Sequence, residues 1–282
     1  MSRKLNIACL QTSPRPDFES ALSEALRLAE RAVDRGAQFL ALPEYCGGLR
    51  SQGARIVPPS STEQSHPVLA GLRAFASERR VWILIGSLAI TAAHGRIMNR
   101  GFVLDDNGSI VSRYDKIHMF DIQLSESEVY RESDTVTPGT EAVMTGTPWG
   151  MVGHTICYDL RFPGLFRDMA KAGAAIITIP AAFTRKTGEA HWIVLNRARA
   201  IENTCFVVSP CATGSVPGGG ACFGHSLVVD PWGEVLADGG TGPGVVSAVM
   251  DLEHVADVRR RIPSLDHDRQ YTRRWEEGKK AA

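Results

Sequence analysis

The sequence lacks the long apolar runs and the charge bias that mark several large classes of protein. No stretch of its 282 residues approaches the roughly 18 consecutive apolar residues of a membrane span. Acidic and basic residues balance at 31 each, which argues against a broad electrostatic attraction to nucleic acid or to an anionic membrane surface. We therefore expect neither nucleic acid nor a membrane as a partner, and any charged ligand must be recognised locally.

Two short signatures of common enzyme classes are also missing. No G-x-G-x-x-G turn follows the first predicted strand, where the sequence has Gln11-Thr12-Ser13-Pro14-Arg15-Pro16. This argues against a dinucleotide-binding module. No G-x-S-x-G elbow is present, which argues against a serine hydrolase.

The six cysteines do not include a C-x-x-C pair. A zinc site built from Cys205, Cys211, Cys222 and His225 is therefore not favoured, and we expect no metal. The first four residues lead directly into a strand pattern without the apolar region of a signal peptide, which predicts a cytoplasmic protein. In that compartment the cysteines are expected to be reduced thiols.

The order of predicted elements repeats between two halves of the chain. Strands and helices alternate over residues 5–11, 18–35, 38–42, 67–80 and 81–88, and again over 151–156, 163–171, 175–179, 190–202 and 204–209. Each series is followed by a hairpin with an Asp-x-x-Gly turn. Each half thus predicts a mixed sheet with helices on one face, and the other face is covered only if the two sheets stack.

The expected fold is therefore α/β, a four-layer α-β-β-α sandwich with two mixed sheets. No linker-like composition interrupts residues 1–261, which we assign to one domain. The charged segment 262–282 has too few apolar residues for a core of its own, so we regard it as a tail that could dock on a partner subunit.

Three polar residues, Glu44, Lys116 and Cys157, stand at or just past the ends of predicted strands, where open α/β sheets bind their ligands. Each alone has an ordinary explanation: an exposed carboxylate, a surface lysine and a buried thiol. Together they supply the nucleophile, base and cation that thiol attack on a carbonyl requires. Glu132, on a polar loop, could hydrogen-bond the lysine or the departing amine. The bend at Cys157, before the next helix, is expected to favour the thiolate.

Three motifs carry a resemblance to a known family. Leu42-Pro43-Glu44, Tyr114-Asp115-Lys116-Ile117-His118 and Ile156-Cys157-Tyr158-Asp159-Leu160-Arg161-Phe162-Pro163 resemble, in the same order, the motifs of the nitrilase (carbon–nitrogen hydrolase) superfamily. The resemblance extends over residues 5–261. Further stretches at 182–184, 187–192, 197–202 and 224–233 resemble the branch that contains deaminated glutathione amidase and omega-amidase.

This resemblance implies the same four-layer fold, assembly into a homodimer or higher homo-oligomer, and no metal or organic cofactor. It also implies hydrolysis of the primary amide of a small carboxylate-bearing substrate to acid and ammonia through a thioester. The family's catalytic residues map onto Glu44, Lys116 and Cys157, and its additional glutamate maps onto Glu132. Lys116 and the backbone N–H of Tyr158 would bind the oxyanion.

The predicted substrate-binding residues are Tyr158, Arg161, Phe183 and Thr184. Arg161 could bind a substrate carboxylate through two hydrogen bonds, or it could brace the loop through an ion pair with Asp159 or another carboxylate. Arg185 and Lys186 lie in the predicted loop after the strand at 175–179. They could bind a longer, peptide-like substrate, or they could simply be solvated.

Two positions depart from the family pattern: His154 stands where relatives usually have an apolar residue, and Gly164 where many have glutamate. Neither belongs to the catalytic set, so they bear on the subtype rather than on the chemistry. The alternatives on the same fold are an N-carbamoyl-amino-acid hydrolase, a nitrilase and a scaffold without activity. Tyr158 favours the amidases over the nitrilases, which commonly have tryptophan after the cysteine.

Overall fold

Two six-stranded mixed sheets form the centre of the computed structural model, which describes residues 4–53, 55–126 and 128–275. Their strands, in chain order, are β1 Lys4–Gln11, β2 Phe39–Ala41, β3 Trp82–Thr91, β4 Ile97–Leu104, β5 Ile110–Asp115, β6 Met144–Thr147, β7 Gly150–His154, β8 Ile176–Thr178, β9 Phe206–Ser209, β10 Leu227–Val229, β11 Val235–Asp238 and β12 Gly244–Asp251. The helices are α1 Phe18–Val33, α2 Pro67–Arg79, α3 Pro163–Lys171, α4 Arg185–Asn203 and α5 Glu253–Arg261.

The two sheets have the same internal arrangement, which confirms the repeat predicted from the sequence. Their strand orders are β12-β1-β2-β3-β4-β5 and β6-β7-β8-β9-β10-β11. In each sheet the second, third and fourth strands are parallel, and the other neighbours are antiparallel. The carboxyl ends of the parallel strands therefore meet at one edge of each sheet, where loops that carry a site are expected.

Buried apolar side chains form three layers between these elements. One layer packs α1 and α2 on the first sheet and includes Leu28 and Leu72. A second packs α3 and α4 on the second sheet and includes Phe166 and Trp192. The third lies between the sheets and joins residues such as Phe39, Leu84, Ile176 and Phe206. The secondary structure is thus stacked in four layers, in the order helix, sheet, sheet and helix, and the predicted fold class is confirmed.

Helix α4 begins earlier than the sequence indicated. Arg185 and Lys186, predicted in a loop, form its first turn, and the backbone N–H of Gly188 donates to the carbonyl of Thr184. Glycine lowers helix propensity, so the pattern placed the start near residue 190. The position requires glycine for packing, because a Cβ there would lie 2.4 Å from Cγ of Phe223.

The segment after α5 carries little apolar packing. Tyr271 and Trp275 are 84% and 85% exposed, and Lys171 forms an ion pair with Asp268 at 2.5 Å. Residues 276–282 lie outside the described residues, so docking of the 262–282 tail on a partner stays a prediction, as does the domain boundary at 261.

Within the described ranges, no helix has the length and apolar character that crossing a bilayer requires.

His154, the residue that departs from the family pattern, is buried on β7. Its Nε2 atom lies 2.7 Å from the hydroxyl oxygen of Thr145, and its Nδ1 atom is buried without a partner among the described residues. Burial lowers the pKa of His154 from 6.5 to about 4, because the charged ring would be poorly solvated. The folded protein therefore holds this imidazole neutral.

We expect His154 to make the protein sensitive to acid. As pH falls from 6.5 towards 4, the unfolded chain binds a proton that the folded state resists, so the stability present above 6.5 is lost. The pKa difference corresponds to roughly 3 kcal/mol. Urea unfolding of wild type and His154→Met between pH 4 and 7 tests this: the variant should lose less free energy of unfolding on acidification. Equal losses in the two proteins would contradict the prediction.

Candidate active site

One small inner pocket brings together the four residues predicted to be catalytic. Glu44 follows β2, Lys116 directly follows β5, Cys157 follows β7, and Glu132 begins a short 3-10 turn after the ribbon strand Val129–Arg131. All four line a pocket with a cavity volume of about 40 Å³. They are also buried, since Lys116 is only 2% and Cys157 only 7% exposed. Water is thus largely excluded from a cluster of ionisable groups, which strengthens every electrostatic interaction within it.

The ammonium of Lys116 lies between the two carboxylates. Its Nζ atom donates to Oε1 of Glu44 at 2.9 Å and approaches the two carboxylate oxygens of Glu132 at 3.0 and 2.8 Å. Burial lowers the pKa of Lys116, but the charges of Glu132 and Glu44 raise it by more, so its pKa lies well above the ordinary value. The amine therefore stays protonated and is a fixed cation beside Cys157.

Glu44 is held in place through both of its oxygens. Besides Lys116, Oε1 accepts a hydrogen bond from the side-chain amide of Asn99 at 2.9 Å, and Oε2 accepts one from the backbone N–H of Ala182 at 2.9 Å. Ala182 belongs to the loop after β8, so this bond links the two sheets. The carboxylate has little freedom to turn away from the pocket.

Glu132 has a separate set of partners. The backbone N–H of Phe120 donates to its Oε2 atom at 2.7 Å, and the amide of Asn99 and the hydroxyl of Tyr45 lie 3.3 and 3.4 Å from Oε1. The Asn99 amide therefore lies against both carboxylates. Its nitrogen must face them, because a carbonyl oxygen in that place would meet two negatively charged groups.

Cys157 is the first residue of a 3-10 turn and has a strained backbone. Its φ angle is +49°, a left-handed conformation that costs a non-glycine residue on the order of 1–3 kcal/mol. Its backbone N–H donates to the carbonyl of Pro180 at 2.8 Å. The backbone N–H of Tyr158, next in the turn, has no acceptor among the described residues and is available to a ligand.

The thiol of Cys157 is not the thiolate that the sequence led us to expect. Burial, followed by the negative charge of Glu44 and a hydrogen bond with it, raises the pKa of Cys157 well above the ordinary value, although Lys116 lowers it. The sequence argument considered only the turn and the next helix. Desolvation and the nearby carboxylate, which come from distant parts of the chain, raise the pKa instead.

Asp159 connects the cysteine turn to the end of β5, which Lys116 directly follows. Its two oxygens accept hydrogen bonds from the backbone N–H of Ile156 at 2.8 Å and of His118 at 3.0 Å, and from the hydroxyl of Tyr114 at 2.8 Å. Tyr114 and His118 stand two residues on either side of Lys116. The buried carboxylate thus fixes the spacing between the lysine and the cysteine.

Gly86 allows the two halves of the pocket to approach. A Cβ at this position of β3 would lie 2.1 Å from the carbonyl oxygen of Leu42 and 2.5 Å from Cβ of Pro180. Leu42 leads into the Glu44 loop, and Pro180 accepts the hydrogen bond from Cys157. Only glycine leaves room for these two segments to meet.

Comparison with known proteins identifies the family to which this site belongs. The carbon–nitrogen hydrolase family model matches residues 6–260. The chain belongs to the carbon–nitrogen hydrolase family. Deaminated glutathione amidase from Synechocystis sp. is 37% identical and covers 92% of this chain and 96% of its own length. Omega-amidase from Xenopus tropicalis is 34% identical and covers 92% of this chain and 93% of its own length.

A solved structure supports the same assignment for the fold. The NitFhit protein of C. elegans superimposes with a TM-score of 0.87 and 32% sequence identity over 94% of this chain. The carbon–nitrogen hydrolase described here spans 65% of that longer protein. The predicted family and its hydrolase class, acting on carbon–nitrogen bonds other than peptide bonds, are confirmed.

The predicted substrate-binding residues of this carbon–nitrogen hydrolase divide into two groups. Phe183 and Thr184 line the inner pocket with the four catalytic candidates. Tyr158 is not among the residues that line the pocket, and its ring packs edge to face against that of Phe120 with centroids 5.2 Å apart. Arg161 lies 3.2 Å from a ring nitrogen of His191 and stacks near the rings of Tyr158 and Phe183, outside the residues that line the pocket.

Sequence reasoning missed three residues of the polar network: Tyr45, Asn99 and, in its bracing role, Asp159. Asp159 was considered as a partner of Arg161, whereas it bonds Tyr114 and His118 instead. The only available signal was position, because Tyr45 follows Glu44 and Asp159 stands two residues after Cys157. Asn99 lies inside β4, where no local pattern distinguishes it from any other buried polar residue.

The sequence contained four candidate zinc ligands, and the structure gives the positions of their side chains. Within the described parts of the chain, no group of three His, Cys, Asp or Glu side chains is placed to hold a metal ion. His225, one of the four candidate ligands, instead pairs through Nδ1 with the carboxylate of Asp238 at 2.9 Å.

Proposed function

We propose that this protein is a cysteine-dependent amidase that hydrolyses a small, carboxylate-bearing linear amide to the acid. One observation carries the proposal: the protonated Lys116 lies between Glu44 and Glu132 in the buried pocket that Cys157 lines. A thiol, a carboxylate and an ammonium thus line a space of about 40 Å³, which supports their assignment as nucleophile, base and cation around a reacting amide group. Glu44, Lys116 and Cys157 are the proposed catalytic triad, with Glu132 as a supporting carboxylate.

In the first half of the proposed reaction, Glu44 accepts the thiol proton of Cys157 while the sulfur attacks the amide carbon. The carbonyl electron pair moves to oxygen, and this oxyanion is stabilised by Lys116 and the free backbone N–H of Tyr158. The C–N bond then breaks, and the leaving nitrogen takes the proton from Glu44. The acyl group remains on Cys157 as a thioester.

The raised pKa of Cys157 fits this order of events. Because the free thiol is protonated, the nucleophile forms only when Glu44 removes the proton during attack, which is general-base catalysis rather than use of a standing thiolate. In the second half, Glu44 accepts a proton from water, the resulting hydroxide attacks the thioester carbon, and the C–S bond breaks. The sulfur recovers the proton and the acid leaves.

The proposed substrate class comes from the relatives. Deaminated glutathione amidase and omega-amidase are at least 34% identical to this chain over more than nine tenths of its length. We therefore propose an amide of the deaminated glutathione or alpha-ketoglutaramate type. Only the second is the primary amide expected from the sequence, because the scissile amide of deaminated glutathione is secondary and releases an amine instead of ammonia. An N-carbamoyl-amino-acid hydrolase and a nitrilase are the alternatives on the same fold.

We further propose that the enzyme forms a homodimer or a higher homo-oligomer. Helix α4 supports this, because it exposes Ile193, Val194 and Ile201 on the outer layer of the sandwich. Exposed apolar patches of this kind often mark protein contacts. The cytoplasmic location stays a prediction from the sequence.

A panel of substrates tests the proposed function. We expect wild-type enzyme to form 2-oxoglutarate from deaminated glutathione or from alpha-ketoglutaramate, with an amine or ammonia as the respective leaving group. Measuring the acid, ammonia and carbon dioxide together separates the alternatives, because a carbamoyl-amino acid releases carbon dioxide and a nitrilase turns over the matching nitrile. Hydrolysis of carbamoyl compounds or nitriles in preference to every amide would contradict the proposal.

A further inference from the structure

The inner pocket opens into a much larger outer cleft. This outer cleft has a cavity volume of about 470 Å³ and shares Ile56, Tyr130, Ala182 and Thr184 with the inner pocket. Such a volume is within the range of sites that hold whole small ligands. The inner pocket is about 40 Å³ and suits only the reacting amide, so the rest of a substrate would lie in the outer cleft.

The charged side chains that line the outer cleft are few and mostly positive. They are Glu128, Arg185 and Lys186. Lys186 lies 3.4 Å from the carboxylate of Glu128, so these two charges largely offset each other. Arg185 is exposed on the first turn of α4 and has no hydrogen bond or ion pair with any described residue. The guanidinium of Arg185 is therefore the unmatched charge of this cleft in the described chain.

Arg161, the carboxylate-binding residue suggested by the sequence, is placed differently. It lines neither the inner pocket nor the outer cleft. Its guanidinium carbon lies 5.8 and 5.5 Å from the ring centres of Tyr158 and Phe183, and one of its nitrogens lies 3.2 Å from His191. These contacts fit a residue that supports the wall of the pocket.

We propose that Arg185 binds a carboxylate at the far end of an elongated substrate and thereby sets the enzyme's preference for length and charge. This rests on the proposed amidase function and adds a second recognition point to the same site. A guanidinium matches a carboxylate in shape and charge. Because Arg185 lines the outer cleft and not the inner pocket, it can bind only a carboxylate that lies well away from the reacting amide. A short acid such as alpha-ketoglutaramate would keep its carboxylate near the mouth of the inner pocket and would not reach Arg185.

Steady-state kinetics of Arg185→Ala with three probes test the proposal. The probes are deaminated glutathione, its analogue in which the glycine carboxylate is amidated, and alpha-ketoglutaramate. For deaminated glutathione we expect kcat/KM to fall about 10- to 100-fold, mainly through KM, as for a lost charge-assisted hydrogen bond. For the other two probes we expect wild-type values, because neither presents a distal carboxylate to Arg185.

Two matched variants complete the experiment. Arg260→Ala removes an exposed arginine of α5 that pairs with Asp257 and lines neither cavity, and it should change kcat/KM for deaminated glutathione by less than about 3-fold. Arg185→Lys keeps the charge but not the planar fork, and it should retain part of the selectivity.

Several results would overturn the proposal. One is an equal loss of kcat/KM on all three probes in Arg185→Ala, and another is no loss on deaminated glutathione in that variant. A third is a wild-type enzyme that hydrolyses alpha-ketoglutaramate but not deaminated glutathione. Each of these results would leave the proposed amidase function intact. A wild-type enzyme that hydrolyses no amide of the panel would instead refute the proposed function, and this inference with it.

Discussion

Cys157→Ala is expected to abolish turnover while the protein remains folded. The substitution removes the only proposed nucleophile, and the remaining groups would have no covalent route to the product. Because the substitution removes only the sulfur of a small side chain that already lines a cavity, its loss should cost only about 1 kcal/mol of stability. Product formation on the amide panel gives the first measurement and thermal unfolding the second.

Cys9→Ala is a matched control for this experiment. Cys9 is also a free, fully buried cysteine, but it lies in the layer between the sheets, away from the pocket. Its variant should keep wild-type turnover. In addition, iodoacetamide should modify Cys157 of the wild-type protein, as read by peptide mass spectrometry. Hydrolysis by a well-folded Cys157→Ala protein would show that the nucleophile lies elsewhere.

Lys116→Met is expected to damage both catalysis and stability. Loss of the cation that stabilises the oxyanion should lower the rate at least about 10²-fold. The substitution also leaves Glu44 and Glu132 buried beside each other without a counter-charge, which typically costs about 3–5 kcal/mol. Denaturant unfolding and single-turnover kinetics measure the two effects separately.

A double variant separates the two roles of this lysine. Lys116→Met combined with Glu132→Gln removes one of the facing charges, so part of the lost stability should return while activity stays low. Lys171→Met provides the control, because that lysine forms an exposed ion pair with Asp268, and its loss should cost less than about 1 kcal/mol and leave the rate unchanged. If Lys116→Met matched Lys171→Met in stability and rate, the lysine would have neither role.

Much of the fold could be predicted because its pattern is local and occurs twice. The alternation of apolar runs and turns placed most strands within one or two residues, and helix α3 begins and ends where the sequence indicated. Strand β6, Met144–Thr147, was missed because its residues include glycine and two threonines and show no apolar alternation. The start of α4 was misplaced because Gly188 weakens the local helix signal, although its packing against Phe223 requires it.

The site was only partly predictable, for a different reason. Glu44, Lys116 and Cys157 could be found because each adjoins a predicted strand end, and their roles remain to be tested by the variants above. Asn99 could not be found, because its importance comes from the two carboxylates that the fold brings to it from positions 55 and 33 residues away. The protonation of Cys157 could not be found either, since burial is a property of the assembled layers.

The pairing of β12 with β1 has a consequence for biosynthesis. Lys4 stands opposite Asp251 and Gln11 opposite Gly244, so β1 obtains this partner only after β2 to β11 have been synthesised. Until then, the edge of β1 has unpaired backbone N–H and C=O groups, which can pair with strands of other chains. A nascent chain halted before residue 244 should therefore be a chaperone client and prone to aggregate, even though the residues proposed to be catalytic have all been synthesised.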